Sequence, residues 1–435
     1  MQAETLSGQD LLRYVDEHSG ELVELVRALV RMPSENTPPT GAERACQEYC
    51  AGMLRASGFQ TEMYELTEVK GLSEHALYWR GRDYAGRPNV AGRLRGTGRG
   101  RSLILSGHID TVPRGTQPWT RDPFGGEIEG GRLYGRGSND MKAGVAIHLF
   151  VARAVAALGL PLRGDVIVET VVDEEFGGVN GTLAGRLRGY VADAAIIGEP
   201  SFLRICPSQR GGHTAHITFH TANGGILADG MAQGIAAGVG QFLTALTEFA
   251  ELRRRLAPAH PSYRHLHDPV PVSVLKIHTG AWGMGEPMAT ADTCRVELYW
   301  QSMPGEDPAE VAAQFTNWFE GFCLSRPELY SAAPVVEYPI RTLPGSSIAH
   351  DAPLVSELAA CAAEALGKRP EVAGIEGPCD MFVFQQEFGI PAVSWGPRGG
   401  NTHMADEYVE IDSVIDAAKA LLLFVHRWCN LEPAV

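Results

Sequence analysis

The spacing of hydrophobic and polar positions changes along the chain, and these changes predict its elements. Residues 8–31 place apolar side chains at mixed three- and four-residue intervals, which is typical of an amphipathic helix, and Pro33 ends it. From residue 103 onward, short apolar runs alternate with helical stretches. Strands are predicted at 103–105, 166–172, 194–197 and 391–395, and helices at 41–57, 141–158, 353–366 and 412–428. Alternation of strand and helix predicts an α/β fold with a mostly parallel sheet sandwiched by helices.

The pattern changes between residues 209 and 331. Strands are predicted at 213–221, 270–278 and 293–301, and helices at 229–255 and 308–323. This order predicts an inserted α+β domain. The chain of 435 residues is long enough for two domains. We therefore expect residues 1–208 and 332–435 to form the α/β domain.

Composition and charge exclude several classes of partner. The chain carries 37 basic and 52 acidic side chains, so its net charge is −15, which disfavours nucleic acid and anionic membranes. No run reaches the roughly 18 apolar residues of a membrane span, and no signal peptide is visible. The eight scattered cysteines are typical of a reducing compartment. We expect a cytoplasmic protein.

Titratable side chains follow the predicted strands of the α/β domain. His108 and Asp110 come directly after the strand at 103–105 and point to the same side if the segment is extended. Taken singly, each such residue is typical of a helix cap, a turn or a solvated loop. In an open α/β sheet, however, ligands gather at the carboxyl ends of the strands. We therefore expect five side chains to converge: His108, Asp140, Glu175, Glu199 and His403.

The chemistry of these five side chains points to metal ions. Two imidazoles and three carboxylates form a mixed nitrogen and oxygen ligand set that suits zinc, cobalt or manganese. Five ligands are too many for one tetrahedral ion with an open position. They fit two ions about 3.5–4 Å apart that share one carboxylate, as in hydrolases that activate a bridging water. The pattern predicts a site for two divalent ions, of which one or both are bound.

Longer motifs surround these positions. In order along the chain they are Gly107-His108-Ile109-Asp110-Thr111-Val112-Pro113, Trp119, Asp122-Pro123-Phe124, Leu133-Tyr134-Gly135-Arg136-Gly137, Asp140-Met141-Lys142, Asp173-Glu174-Glu175 and Asp406-Glu407-Tyr408-Val409. Together they resemble the di-metal amidohydrolases that include acetylornithine deacetylase, succinyl-diaminopimelate desuccinylase, aminoacylase and the glutamate carboxypeptidases. The resemblance covers nearly the whole catalytic domain.

The resemblance implies a role for each of the five ligands. Asp140 would bridge the two metal ions, and the peptide bond that follows it would be cis. His108 and Glu199 would complete the coordination of one ion, and Glu175 and His403 would complete that of the other.

The resemblance also implies roles beyond the ligands. Glu174 would be the general base toward a metal-activated water, and the carboxylate of Asp110 would orient His108. The resemblance further implies that the inserted domain is a ferredoxin-like lid or dimerisation domain. Relatives dimerise through this domain, so a homodimer is expected.

The positions that would contact the substrate depart from the family. Gly225 stands where relatives carry a histidine that stabilises the oxyanion. The segment 296–304 lacks the arginine often found there and shows Tyr299 and Gln301 instead, and Phe382 stands where relatives often have arginine. His216 or His220 could supply the lost donor. The candidates for substrate contact are Arg210, His216, His220, Tyr299, Phe382 and Arg398.

These features predict a metal-dependent hydrolase that cleaves a C–N bond, of amide or N-acyl type, in a small molecule. One alternative is a hydrolytic deaminase of an electron-poor arylamine, similar to 5-nitroanthranilate aminohydrolase, because such a reaction needs less oxyanion stabilisation. A second alternative is a metal-binding scaffold without catalysis. Glu174 argues against the scaffold, since a general base has no use there.

Overall fold

The computed structural model describes residues 6–222, 234–286 and 289–432 of the chain. The chain divides into two compact units. The first unit comprises Met1–Ser208, Ser347–Ile375 and Cys379–Val435, and the second comprises Gln209–Ser346 and Glu376–Pro378. Along the sequence, the second unit is an insertion within the first.

The strands and helices follow one another in a mixed order. The strands are β1 (Asn36–Thr37), β2 (Thr40–Gly41), β3 (Gln60–Glu65), β4 (Pro88–Leu94), β5 (Leu103–His108), β6 (Glu127–Glu129), β7 (Arg132–Tyr134), β8 (Val166–Val171), β9 (Ala195–Ile197), β10 (Ile205–Gln209), β11 (Gly211–His220), β12 (Val272–Thr279), β13 (Thr293–Ser302), β14 (Ala332–Glu337), β15 (Ser346–Ser347), β16 (Val372–Ile375), β17 (Ala392–Ser394), β18 (Gly399–Gly400) and β19 (Tyr408–Glu410). The helices are α1 (Gly8–Glu17), α2 (Ser19–Val30), α3 (Arg44–Ala56), α4 (Ala143–Ala157), α5 (Asn180–Leu187), α6 (Gly234–Leu256), α7 (Pro308–Leu324), α8 (Pro353–Leu366) and α9 (Ile411–Trp428).

The first unit is organised around one large sheet with the strand order β15-β10-β17-β9-β5-β8-β4-β3, to which β16 adds beside β10. The central strands β17, β9, β5 and β8 run parallel. By contrast, β10 pairs antiparallel with β17, and β4 pairs antiparallel with β8 and β3. The predicted α/β class is confirmed, and the sheet is mixed, since antiparallel pairing flanks its parallel centre on both sides. These outer strands lie in stretches without a clear alternation of strand and helix.

The core of the first unit is built from the central strands and the helices that cover them. Helix α4 is buried on nearly all sides, since its apolar side chains run from Val145 to Val155 with few interruptions. It packs against α2, α3 and α9. The predicted helix over 8–31 is divided into α1 and α2 at His18, just before Ser19 and Gly20, which are weak helix formers. No helix within the described residues is long and apolar enough to cross a bilayer.

The second unit contains an antiparallel sheet of order β12-β13-β11-β14. Along the chain its elements run β11-α6-β12-β13-α7-β14, which is the order of a ferredoxin-like fold. Alternate residues of β11 and β13 face α6 and α7, where Phe219, Phe242 and Phe315 form an aromatic core. Gly225 and the predicted start of a helix at 229 lie outside the described residues.

The end of the second unit differs from the predicted boundary at 331. Strand β14 pairs with β11, with Thr218 opposite Val335 and His216 opposite Glu337, and the unit continues to Ser346. The sequence signal for this strand is weak because Pro334 interrupts it, and proline is confined to edge strands in sheets. The boundary therefore belongs after β14.

Candidate metal centre

Three of the predicted ligands lie where parallel strands of the first unit end, and a fourth lies just before a helix. His108 is the last residue of β5, and it lies opposite Val171, the last residue of β8. Glu175 follows β8 and Glu199 follows β9. Asp140 lies just before α4. Because these strands are parallel, their carboxyl ends meet at one edge of the sheet, where side chains from distant parts of the chain can come together.

The structure brings His108, Asp140 and Glu199 together as one group of possible metal ligands. His108 Nε2 lies 3.1 Å from Asp140 Oδ1 and 3.7 Å from Glu199 Oε1. The imidazole of His108 and the side chain of Glu199 are buried. These three side chains can hold one cation between them.

A second group consists of Asp140, Glu175 and His403. His403 Nε2 lies 3.2 Å from Asp140 Oδ2 and 2.9 Å from Glu175 Oε2. His403 is the most exposed member, with about half of its side chain accessible (49%). The two oxygens of the Asp140 carboxylate therefore face two different histidines, one in each group.

The electrostatics of the site favour cations. Burial disfavours the charged form of His108, but the hydrogen bond to Asp140 and the charge of Glu199 outweigh it and raise the pKa of His108 well above its usual value. The charge of Glu175, helped by Asp140, raises the pKa of His403 in the same way. Both imidazole rings are stabilised in their positively charged form, so the electrostatic potential around them is strongly negative. The donor set fits divalent ions such as zinc, cobalt or manganese, because it combines imidazoles with carboxylates.

Two local features of the backbone lie near Asp140. The peptide bond between Asp140 and Met141 is cis, as the resemblance implies. Gly144, in the first turn of α4, packs so closely on the chain after β9 that a Cβ atom there would overlap the carbonyl of Gly198. The missing side chain allows the start of α4 to approach the segment that carries Glu199.

Glu174 lies beside the first group. Its Oε2 is 4.0 Å from His108 Nε2, and only 12% of its side chain is exposed. Burial, together with the charges of nearby carboxylates such as Asp380, raises the pKa of Glu174 well above its usual value. Burial and neighbouring carboxylates that raise the pKa of a carboxyl are the surroundings in which enzymes place groups for proton transfer.

The role expected for Asp110 needs a correction. The Nδ1 atom of His108 lies 2.9 Å from the backbone carbonyl of Asp110, whereas its distance to the Asp110 carboxylate is 3.6 Å. The carbonyl therefore orients the ring. The carboxylate instead accepts hydrogen bonds from the backbone N–H groups of Glu174 and Glu175, at 3.1 and 3.2 Å.

Glu407 also supports the site, and sequence reasoning assigned it no role. Its fully buried carboxylate accepts hydrogen bonds from the backbone N–H groups of Gly137, Asn139 and Asp140, at 3.0–3.1 Å. It also accepts one from Arg136 Nη1 at 2.6 Å. The carboxylate thereby holds the segment that carries the shared ligand. The motif around Glu407 is visible in the sequence. No local pattern, however, indicates that Glu407 contacts Gly137, Asn139 and Asp140, which lie far earlier in the chain.

Four candidates for substrate contact lie in the second unit. The guanidinium of Arg210 donates hydrogen bonds to the backbone carbonyls of Pro269 and Glu376. Each of the other three also has a polar neighbour within the unit: His216 lies 3.2 Å from Glu297, His220 lies 3.4 Å from the Thr293 hydroxyl, and the Tyr299 hydroxyl accepts from Gln301. Their role toward a substrate stays a prediction.

The remaining two candidates lie in the first unit. The Phe382 side chain is buried. Arg398 pairs with Glu410 at 2.8 Å and with Asp412 at 3.1 Å. Both residues have structural contacts, and their contact with a substrate also stays a prediction.

Imidazoles and carboxylates gathered at the strand ends of an α/β sheet form the kind of site that metal-dependent hydrolases use. Within this class, the profile of peptidase family M20/M25/M40 matches residues 104–427. The chain therefore belongs to peptidase family M20/M25/M40. The predicted resemblance and the predicted type of enzyme, a hydrolase of C–N bonds, are confirmed.

Individual relatives agree with this assignment. N-formyl-4-amino-5-aminomethyl-2-methylpyrimidine deformylase of Bacillus subtilis is 28% identical, and the match covers 97% of both chains. Succinyl-diaminopimelate desuccinylase of Cereibacter sphaeroides is 33% identical over 80% of this chain and 89% of that protein. The crystal structure of human carnosine dipeptidase 1 has a TM-score of 0.76 and 17% identity, covering 98% of this chain and all of that one. This structure is similar in fold.

Proposed function

We propose that the first unit binds two divalent metal ions, with Asp140 shared between them. His108 and Glu199 would complete one position, and Glu175 and His403 would complete the other. The observation that carries this proposal is the placement of the two Asp140 oxygens, each within 3.2 Å of a different histidine. When bound, ions of this kind polarise a carbonyl group and lower the pKa of water.

We further propose that Glu174 is the general base. Its carboxylate takes a proton from the water that attacks the carbonyl carbon of the substrate, and it then delivers that proton to the leaving nitrogen as the C–N bond breaks. The position of Glu174 supports this role, because it lies 4.0 Å from the ring of a candidate ligand without belonging to either ligand group.

The proposed substrate is a small N-acyl compound. Support comes from two relatives whose names describe removal of a formyl and of a succinyl group from nitrogen. The match to the deformylase covers nearly the whole of both chains, so an N-formyl aminopyrimidine is the first compound to test. Hydrolysis of an amide bond is the reaction that these proposed substrates share.

The experiment is a hydrolysis screen with protein that has been stripped by a chelator and reloaded with zinc, cobalt or manganese. The panel contains an N-formyl aminopyrimidine, N-succinyl and N-acetyl amino acids, dipeptides and 5-nitroanthranilate. Turnover of one or more acyl compounds, lost in Glu174→Gln, is the expected result. Turnover of the nitroanthranilate alone would replace the amidase proposal with the deaminase alternative.

We also propose that the protein is a homodimer formed through the second unit. Strand β12 is an edge of its sheet, and no described strand pairs with its outer side. Leu275 and Ile277 on this strand are half exposed, at 51% and 49%. An unpaired edge with exposed apolar side chains favours pairing with another strand, and a second copy supplies an identical edge for antiparallel pairing.

Sedimentation of the full chain tests this proposal. The variant Leu275→Lys/Ile277→Lys should shift the protein from dimer to monomer without unfolding it. Val335→Lys, on the opposite edge strand β14 with similar exposure, is the matched control. A monomeric wild-type protein would refute the proposal, as would a dimer that only Val335→Lys dissociates.

A further inference from the structure

Asn36 is a fully buried residue that connects two aspartates behind the candidate metal centre. Its Nδ2 atom donates a hydrogen bond to Asp110 Oδ2 at 2.8 Å and another to Asp173 Oδ1 at 3.1 Å. One amide nitrogen carries two hydrogens, so it can serve both carboxylates at once. It also separates two buried negative charges that would otherwise repel each other.

The backbone around Asn36 is held in place. Its N–H donates to the carbonyl of Thr111 at 2.8 Å, and the N–H of Thr111 donates to the carbonyl of Ser34 at 3.0 Å. The side chain of Ser34 donates to the carbonyl of Ile109 at 2.7 Å. The amide of Asn36 is therefore fixed relative to the segment that follows β5 and carries Asp110.

Asp110 transmits this position to the acidic turn after β8. Its carboxylate accepts the backbone N–H groups of Glu174 and Glu175, which are the proposed general base and a proposed metal ligand. Without the hydrogen bond from Asn36, the Asp110 carboxylate could rotate away from these two N–H groups.

Asp173 lies directly before Glu174, at the start of the same turn, and its side chain is also held in place. Its carboxylate accepts a hydrogen bond from the Tyr84 hydroxyl at 2.6 Å and lies 3.6 and 3.7 Å from the guanidinium groups of Arg82 and Arg87. Its backbone has a φ of +65°, a left-handed conformation that is uncommon for a residue with a side chain. Asn36 thus joins both anchors of the turn that carries Glu174 and Glu175.

We propose that Asn36 is a positioning residue that acts through Asp110 to hold Glu174 and Glu175 in place at the metal centre. The proposal rests on the proposed function only in its assignment of Glu175 as a metal ligand and of Glu174 as the general base. Asn36 itself touches neither metal nor substrate. Its removal should loosen the ligand group that contains Glu175 more than the group that contains His108 and Glu199.

The test uses Zn²⁺ alone as the probe. Chelator-treated wild-type protein and the variant Asn36→Ala are titrated with zinc by calorimetry, which resolves two binding events. Residues that support metal ligands from behind contribute about 10–100-fold to metal affinity. We expect Asn36→Ala to weaken one of the two zinc sites by about 10-fold or more and to leave the other nearly unchanged.

Gln47→Ala is the matched control. Gln47 is also a fully buried amide, and it hydrogen bonds Thr170 of β8, but it is bonded to neither aspartate. A purely structural loss should affect Gln47→Ala and Asn36→Ala alike. Asn36→Ser, which keeps one donor in a smaller side chain, should bind zinc with intermediate affinity, and it remains informative if Asn36→Ala fails to fold.

A double-mutant cycle with Asp110→Asn tests the route of the effect. If Asn36 acts through Asp110, then Asn36→Ala should cause little further loss of zinc affinity in the Asp110→Asn protein. Wild-type zinc affinity in Asn36→Ala and Asn36→Ser, or an equal loss in Gln47→Ala, would overturn the positioning role while leaving the proposed function intact. Wild-type protein that binds no zinc would contradict the proposed function itself, and the positioning role with it.

Discussion

The backbone N–H of Asp140 donates a hydrogen bond to the carboxylate of Glu407 at 3.0 Å, although 267 residues separate them in the chain. The same carboxylate pairs with Arg136, whose side chain is also buried. The negative charge of Glu407 therefore has one cation and three backbone N–H groups around it, and one of these groups belongs to the shared ligand Asp140.

The first prediction concerns this contact. Replacing Glu407 with alanine leaves the buried guanidinium of Arg136 without its partner, and breaking a buried pair of this kind costs about 3–5 kcal/mol of the free energy of unfolding. Urea denaturation measures this loss. Glu407→Gln, which keeps the shape and one acceptor oxygen, should lose less. A change below about 1 kcal/mol in Glu407→Ala, the usual net value of one hydrogen bond, would show that the contact does not stabilise the fold.

The second prediction separates catalysis from metal binding. Glu174→Gln removes the base but leaves both ligand groups, so kcat should fall by about 10²–10⁴ with unchanged metal content. Elemental analysis of the purified variant gives the metal content, and the hydrolysis assay gives kcat. Wild-type turnover by this variant would remove Glu174 from the proposed mechanism.

The third prediction assigns ligands to positions. His403→Ala should bind one metal ion fewer than wild-type protein, because it removes a ligand from one group only. Asp140→Ala should weaken both positions, since this carboxylate belongs to both groups. Metal stoichiometry after dialysis measures both effects. His265→Ala, an exposed histidine in the second unit, is the control and should retain the wild-type stoichiometry.

The sequence was sufficient to predict the neighbourhood of the site, and the physical reason is simple. Short apolar strands such as Leu103–His108 are recognisable, and parallel strands place the residues that follow them at one edge. His108, Glu175 and Glu199 could therefore be brought together without coordinates. The acidic or imidazole chemistry of these residues then indicated metal binding.

Contacts between distant segments could not be predicted in the same way. Asn36 meets Asp110 across 74 residues, and nothing in the residues around either one indicates the other. The corrected role of Asp110 has a similar cause. Whether its carbonyl or its carboxylate reaches the His108 ring depends on the exact path of the turn after β5, and a difference of 0.7 Å (2.9 against 3.6 Å) decides it.

The fourth prediction links metal binding to stability. An ion that binds only the folded protein raises the free energy of unfolding by about 2.7 kcal/mol when its free concentration is 100 times its Kd. Chelator treatment should therefore lower the urea midpoint, and added zinc should restore it. In His403→Ala, added zinc should raise the urea midpoint by a smaller amount, since one metal position is lost. A midpoint that does not respond to zinc in wild-type protein would contradict metal binding.

The last prediction concerns two glycines in helices, for which opposite effects are expected. Gly52 in α3 has no atom near the place of a Cβ, so Gly52→Ala should stabilise the protein by up to about 1 kcal/mol through helix propensity. At Gly144 in α4, a Cβ would overlap the carbonyl of Gly198. Overpacking of a core typically costs about 1–3 kcal/mol, which outweighs the gain in propensity, so Gly144→Ala should destabilise.

Urea denaturation of the two variants measures the difference, and zinc titration adds a second readout. Moving the start of α4 away from Gly198 should also move Asp140 away from Glu199, because Asp140 lies three residues before the first residue of α4 and Glu199 directly after Gly198. Gly144→Ala should therefore bind zinc more weakly, whereas Gly52→Ala should bind it as wild-type protein does. Equal stabilisation of the protein by both substitutions would mean that the close approach of α4 to Gly198 does not position Asp140.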